Sequence, residues 1–338
     1  MNIFRCFLVC FLSFLPSCGK SQGSKIDPIY LGGHVIKHGR LQTKGNQIID
    51  QSGNPHQLRG MSLFWSNWSG KFWNEGVVQT LSQDWKATVI RAAVGVENGN
   101  GYLENTEYNK SLLRSVIREA IAQDIYVIID WHDHNAIYHQ KESMEFFDEF
   151  SKEFGRYPNI IYELYNEPIN ASWEQIKSYA EPIIERIRVN GSQNLIIVGT
   201  PTWSQDVDAV IGNPIQKENV AYTLHFYAGT HKEWLRSKAD KALTSNLPLF
   251  VTEFGLSDAS GDGRLDYQEM DRWLDWMNEN SISYANWSVF DKAESSAALK
   301  PGADPRGQWT EGSLTASGSY MKNLLRSAVS RGEYSLAQ

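Results

Sequence analysis

Ile125-Tyr126-Val127-Ile128-Ile129-Asp130-Trp131-His132 is a β-rich apolar run that closes on polar side chains. It follows directly on a helical pattern over residues 108–123. There Leu112, Leu113, Val116, Ile117, Ala120 and Ile121 form one apolar stripe, with charged residues on the opposite face. A helix feeding a buried apolar strand is one turn of a βα repeat with a parallel sheet. Working outward, the same unit recurs, and strands are expected at 57–65, 88–94, 125–131, 160–165, 195–199, 221–226, 249–254 and 284–288. Helical stripes at 143–154, 173–188 and 268–280 lie between them, and 41–50 reads as a hairpin or cap ahead of the first strand. Eight such strands close a (β/α)8 barrel. A doubly wound open sheet would instead carry a Gly-rich phosphate turn after its first strand, and Arg59-Gly60-Met61-Ser62 is no such turn.

The chain has 338 residues and no Pro/Ser/Gly-rich linker, charge block or repeat beyond its first 25, so residues 30–328 are expected to form one barrel domain, with 329–338 as a tail. A net charge of -7 with scattered Lys and Arg excludes a nucleic-acid partner, which would need a basic face. Many of the 12 Trp adjoin polar residues, as surfaces that stack on flat ligands do, although core packing accounts for most tryptophans in any protein. Cys6, Cys10 and Cys18 all precede the barrel, so the fold itself needs no disulfide. Arg5 followed by the apolar run 6–15 is too short to span a bilayer and reads as a signal-peptide core, so export is expected, with 1–25 as leader and tether. Leu15-Pro16-Ser17-Cys18-Gly19 resembles a bacterial lipoprotein processing box. This makes Cys18 a candidate lipidation site and the protein membrane-anchored; cleavage near 17–24 without lipidation is the alternative.

In a barrel the chemistry sits where strands end. Those ends supply Arg91, Asp130-Trp131-His132, Asn166-Glu167-Pro168, residues 200–203, His225-Phe226-Tyr227, Glu253-Phe254-Gly255 and Trp287. Two carboxylates at one mouth are the minimum equipment for glycoside hydrolysis, one protonated to donate and one ionised to attack. Arg91 and Tyr227 could hold the attacking carboxylate ionised and aimed, and burying Arg91 in a strand calls for a carboxylate partner. The donor needs a pKa raised to about 6 to 7, which an apolar wall and an ionised neighbour would supply.

Asn166-Glu167-Pro168 and Thr252-Glu253-Phe254-Gly255, ordered with Arg91, His132, His225-Phe226-Tyr227 and Trp287, resemble glycoside hydrolase family 5. The flanking text Leu58-Arg59-Gly60-Met61-Ser62, Trp131-His132-Asp133-His134-Asn135 and Ser257-Asp258-Ala259-Ser260-Gly261 is similar to its bacterial endoglucanases, and the likeness runs over about 35–326. The resemblance implies Glu167 as acid/base and Glu253 as nucleophile of a retaining endo-β-1,4-glucanase. Asn166 would bind the sugar 2-OH, His132 and His225 would line the same subsite, and Trp287 would form its floor. Trp68 and Trp203 match sugar-stacking positions on either side, and Lys292 and Glu294 match polar contacts to a non-reducing-side glucose. Two departures, Leu63-Phe64 in place of a first-strand His and Gly95 in place of a Tyr, touch sugars distant from the chemistry and bear on glucan preference. The pair should sit about 5 to 5.5 Å apart, as retention requires.

Other readings stay open. A mannanase, xyloglucanase or mixed-linkage glucanase would use the same residues, and a surface glycan-binding protein could keep the tryptophans without needing both glutamates. His132, His134 and His139 could suggest a metal, but they lack paired helical spacing; no metal and no cofactor is expected, and His134 and His139 read as structural. Residues 258–269 match a twelve-residue calcium loop, with Gly263 at the sixth place and Glu269 at the twelfth, yet they follow a strand rather than a helix. The expected protein is a monomer acting on a β-glucan.

Overall fold

The computed structural model describes residues 33–330. The leader, Cys18 and residues 331–338 of the tail lie outside the described residues. Eight parallel strands close a barrel: β1 (Arg59–Leu63), β2 (Val89–Gly95), β3 (Tyr126–His132), β4 (Ile160–Glu163), β5 (Ile196–Val198), β6 (Val220–Tyr227), β7 (Leu249–Gly255) and β8 (Tyr284–Val289), with β8 pairing back onto β1. The expected (β/α)8 architecture is the one observed. Each strand falls on its expected run, shifted or trimmed by a few residues where the ladder begins or stops.

Among the described residues six long helices clothe the barrel: α1 (Thr106–Ala122), α2 (Gln140–Phe154), α3 (Trp173–Val189), α4 (Glu233–Thr244), α5 (Tyr267–Glu279) and α6 (Ala316–Ser330). Local chemistry sets their ends. Ser172 and Gln175 form a reciprocal capping box at the start of α3, and the Asp266 side chain accepts from the Glu269 N–H at the start of α5. After β1 and β5 the crossovers are short helical turns, including Ser66–Ser69 and Pro201–Ser204, and these leave room at the rim. Their stripes had no long helical period to find in the sequence.

The strand residues are buried on both sides. Outward-facing residues such as Ile90, Val127, Ile129 and Tyr162 pack under the helices with Phe146, Phe147, Ile183 and Trp273. Each large apolar side chain fully buried this way contributes roughly 1.5–3 kcal/mol. Inside the barrel's lower end, Leu58, Val89, Tyr126, Ile128, Ile161, Ile197 and Phe250 form a separate cluster with Val35, Leu41 and Ile48. Val35 comes from the helix His34–His38 and Ile48 from the hairpin Gln42–Lys44/Gln47–Ile49, with Leu41 just ahead of it, and these segments plug the barrel floor; Gly45, at φ 59°, makes the hairpin turn. Gly60 lies in register with Val89, and a Cβ there would stand 1.8 Å from the Val89 carbonyl oxygen, so only glycine lets β1 approach β2.

One irregularity matters for the site. Between Thr223↔Phe250 and His225↔Glu253, β6 advances two residues while β7 advances three, and the β7–β8 register shifts at the same place. β7 therefore carries a bulge around Thr252, a device that re-aims side chains.

Candidate active site

The site is built around Arg91, which lies fully buried on β2. Its Nε donates to Glu163 Oε2 at 2.7 Å and its Nη1 to Glu253 Oε2 at 2.9 Å. Its Nη2 donates to Asn166 Oδ1 at 2.7 Å and stands 2.9 Å from Asp130 Oδ2. Three carboxylates from three strands thus share one guanidinium, whose planar fork suits this in a way an ammonium could not. Arg91 is accordingly held charged: burial opposes it, and Asp130, Glu163 and Glu253 outweigh burial. Glu163 was not singled out from the sequence. Its signal was an acid inside the apolar run Ile160-Ile161-Tyr162, answering the buried arginine's need for a partner.

Glu253 receives a second donor on its other oxygen, the Tyr227 hydroxyl at 2.7 Å. Burial and the negative charge of Glu167 nevertheless push its carboxyl above the ordinary range, against the pull of His225 and Arg91. Glu167 stands beside it, with one oxygen from each of Glu167 and Glu253 lying within 4.8 Å of the other. Both oxygens of Glu167 are met by imidazoles: His225 Nδ1 at 2.9 Å from Oε1 and His134 Nε2 at 3.3 Å from Oε2. Burial pushes the Glu167 carboxyl up, but these two contacts prevail and bring it down to about 2. This is the opposite of the raised value expected for an acid. The sequence reading surrounded Glu167 with an apolar wall and set His134 aside as structural, whereas the fold turns two polar rings onto it.

The proton near Glu167 can be located by counting donors. Thr252 Oγ1 lies 2.6 Å from Glu163 Oε1 and 2.8 Å from His225 Nε2, and the Thr223 hydroxyl also reaches it closely. A hydroxyl has one proton to give and two lone pairs. Glu163, ion-paired with Arg91, can only accept, so Thr252 donates to it and accepts from Thr223 and from His225 Nε2–H. His225 therefore turns Nδ1 to Glu167, and one further proton is shared across that 2.9 Å contact. Burial disfavours charge on His225, but the nearby carboxylates Glu163, Glu167 and Glu253 prevail and raise it to about 9. His225 Nε2 and Glu163 are 3.8 Å apart, too far for a direct bond, so Thr252 mediates. The β7 bulge is what lets Thr252 and its neighbour Glu253 both face the barrel interior.

Aromatic rings frame the carboxylates. Trp287 stacks parallel to His132 at 5.2 Å between centroids, and Trp65 meets His132 edge-on at 4.3 Å. The His132 ring is held by Asp130 at 2.7 Å. Two lobes of one cleft meet at Glu167, Tyr227 and Glu253. One lobe runs past Trp65, Trp287, Lys292 and Glu294; the other past Trp203, Gln205 and His231. Lys292 and Glu294 form an ion pair with each other. Trp68, half exposed, stacks on Trp65 at 4.8 Å on the rim. Trp203 is presented by a left-handed turn in which Thr202, Trp203 and Ser204 have φ of 58°, 54° and 56°. Trp65 and His231 were not predicted as site residues; His231 is fixed by the Tyr227 N–H, 2.8 Å from its Nδ1. A Cβ on Gly95 would meet Asn67 Oδ1 at 2.1 Å, so Asn67 fills the space a larger side chain would take.

The calcium-like loop does not converge. Glu269 is buried between Arg236 and Arg272, at 2.5 and 2.8 Å, and Asp266 caps α5 and pairs with Lys232. Asp262 Oδ1 accepts from the Ser295 N–H and hydroxyl. His139 is tied to Asp133 at 2.7 Å, away from Glu167.

A family model described as Cellulase (glycosyl hydrolase family 5) matches residues 49–293. Endoglucanase Z of Dickeya dadantii is 44% identical over 291 residues, which are 85% of this chain and 66% of that protein. The chain spans less than two thirds of the length of that protein, and 58% of Endoglucanase A of Evansella cellulosilytica. A solved structure from Cytophaga hutchinsonii superposes with a TM-score of 0.86 at 48% identity, covering 88% of this chain and 97% of that one. The catalytic domain of a Thermobifida fusca endoglucanase gives 0.83 at 35% identity, covering 86% and 99%. With the barrel, the paired glutamates and this match in agreement, the chain belongs to glycosyl hydrolase family 5, the cellulase family.

Proposed function

We propose that this chain is an endo-acting β-1,4-glucanase that cleaves internal glucosidic bonds with retention of configuration. The observation that carries the reading is the approach of Glu167 and Glu253 to within 4.8 Å, each gripped by different partners. Retaining pairs stand about 5–5.5 Å apart, whereas inverting pairs leave about 6.5–9.5 Å for a water. Arg91 and Tyr227 hold Glu253 as the nucleophile. It attacks the anomeric carbon while the bond to the leaving sugar breaks and the leaving oxygen takes a proton from Glu167. Water then gives a proton to Glu167 and its oxygen to the anomeric carbon, releasing Glu253.

The proton that Glu167 donates is the one shared with His225 Nδ1. Glu253 is ionised during the first step, and its charge drives that proton toward Glu167; once Glu253 is esterified this push is gone and Glu167 serves as base. Asn166 gives its Oδ1 to Arg91, which leaves its amide N–H groups for the sugar 2-OH. His132 and Trp287 floor the same subsite. Trp68 and Trp203 stack sugars to either side, and Lys292 and Glu294 contact a glucose on the non-reducing side. The relatives named endoglucanase support a β-glucan substrate. The apolar run 6–15 supports export, and Cys18 in its lipoprotein-like box supports anchoring at a membrane.

Product analysis on defined cello-oligosaccharides tests this. The first-formed hemiacetal should be the β-anomer by NMR, internal bonds should be cut, and Glu253→Gln should lose more than about 10³-fold in kcat/KM. An α-anomer as first product, or negligible rate on every β-glucan, overturns the reading.

A further inference from the structure

Three histidines meet at the opposite end of the barrel from Glu167 and Glu253. His34 and His38 stand four residues apart on the helix His34–His38, and His56 lies in the segment entering β1. Each can offer one ring nitrogen such that all three lie within 4.8 Å of one another. The ring centroids form a triangle of 4.8 Å (His34–His38), 4.8 Å (His34–His56) and 3.8 Å (His38–His56), and His34 Nε2 stands 2.9 Å from His56 Nε2. We infer that His34, His38 and His56 form a structural site for a divalent transition cation of the zinc type, with Asp50 orienting His38.

Three features converge on this. Two histidines at i and i+4 on one helical face are the spacing in which helices present a pair of imidazoles to one zinc ion. Second, His38 Nδ1 lies 3.0 Å from Asp50 Oδ2, so Nε2 is its ligand atom. Asp50 is itself fixed, because its Oδ1 accepts from the Ser52 and Asn54 N–H groups at 2.9 and 3.1 Å. A carboxylate on the far nitrogen of a ligand histidine sets its tautomer and raises its basicity. Third, the spacing of the three rings comes close to what one shared ion requires. An imidazole bound at 2.0–2.1 Å puts its ring centre about 3.2 Å from the metal, so paired ligand rings stand about 4.5–5.2 Å apart. The two 4.8 Å pairs already meet this, and His38 and His56 need to part by about 1 Å.

Such an ion would tie the plug helix to the chain entering β1, two segments whose Val35 and Leu58 already share one apolar cluster. Imidazole ligands suit zinc, copper and nickel over magnesium or calcium. The expectation of no metal had weighed His132, His134 and His139 and passed over this trio.

The test uses the full chain without an affinity tag. Zinc per chain is measured by atomic emission after loading with Zn2+ and dialysis, with Tm recorded alongside. One zinc per chain is expected, with a Tm rise on the order of 5 °C at saturation that Mg2+ does not reproduce. His34→Gln and His56→Gln should lose the bound zinc, and Asp50→Asn should weaken it by about 10–100-fold. Because substitutions near the plug could harm folding, Co2+ is also added to the unmodified protein, where low-coordinate nitrogen ligation gives visible absorption bands. Absence of stoichiometric zinc and of cobalt bands overturns the proposal. So does a His34→Gln protein that folds and binds zinc as tightly as the parent.

Discussion

Replacing Thr252 by valine keeps the shape of the side chain and removes one hydroxyl that serves three partners. In Thr252→Val the His225 Nε2–H and the Thr223 hydroxyl lose their acceptor, and Glu163 loses one donor while keeping Arg91. All of these groups are buried. Each buried donor left without a partner costs about 1–3 kcal/mol, so losing two should cost the variant roughly 2–6 kcal/mol while it still folds. Urea unfolding should show a lower midpoint with an unchanged slope. The hydroxyl also supports the charged form of His225, and a hydrogen bond to a charged group is worth about 1.5–3 kcal/mol, which corresponds to roughly 1–2 units of pKa. His225 is raised to about 9 in the folded protein. Its contribution to stability is therefore fully present below the unfolded value of about 6.5 and is lost as pH rises through about 9. The proton shared with Glu167 leaves over the same window, so the basic limb of kcat/KM against pH should fall at least about one unit lower in Thr252→Val. An unmoved basic limb in a variant that unfolds with parental cooperativity refutes the donor count and the proton's placement.

Arg91→Lys keeps the charge but cannot reach Asp130, Glu163, Glu253 and Asn166 together. A stability loss of about 3–5 kcal/mol is expected, with the acid limb of kcat/KM moved upward as Glu253 loses its cation; retention of parental Tm and pH profile would count against the shared-guanidinium account. Calcium or its chelation should shift Tm by less than about 1 °C, because Glu269 is already consumed by Arg236 and Arg272. Glu269→Ala, by contrast, should cost about 3 kcal/mol by leaving Arg236 short of its partner, read by denaturant unfolding. Gly60→Ala should fail to accumulate as folded protein, since its Cβ has no room against the Val89 carbonyl; normal yield and circular dichroism would show that β1 can shift. Cys18→Ala, in a bacterial host that processes lipoproteins, should move the protein from the membrane to the soluble fraction on ultracentrifugation.

The barrel was legible in the sequence because buried parallel strands are apolar on both faces, and runs such as Ile125-Tyr126-Val127-Ile128-Ile129 carry that pattern locally. The residues of the mouth were legible for a related reason: chemistry at strand ends leaves polar residues directly after apolar runs, as in Asn166-Glu167 and Glu253. Partnerships across the barrel were not. Glu163 and Arg91 are 72 positions apart, and only closure of the barrel brings the acid and the guanidinium together. Strict alternation along β7 would place Thr252 and Glu253 on opposite faces, and the bulge that overrides it exists only in the pairing with β6 and β8. The ionisation of Glu167 depends on that same closure, which sets His134 and His225 on its two oxygens instead of the apolar wall that its neighbours suggested. Hydrophobic periodicity is a local property of the chain, so the sequence by itself determined the strands and which residues reach the mouth. Hydrogen bonds and charge act over a few ångströms in space, so the tertiary structure alone decided which atoms share each proton.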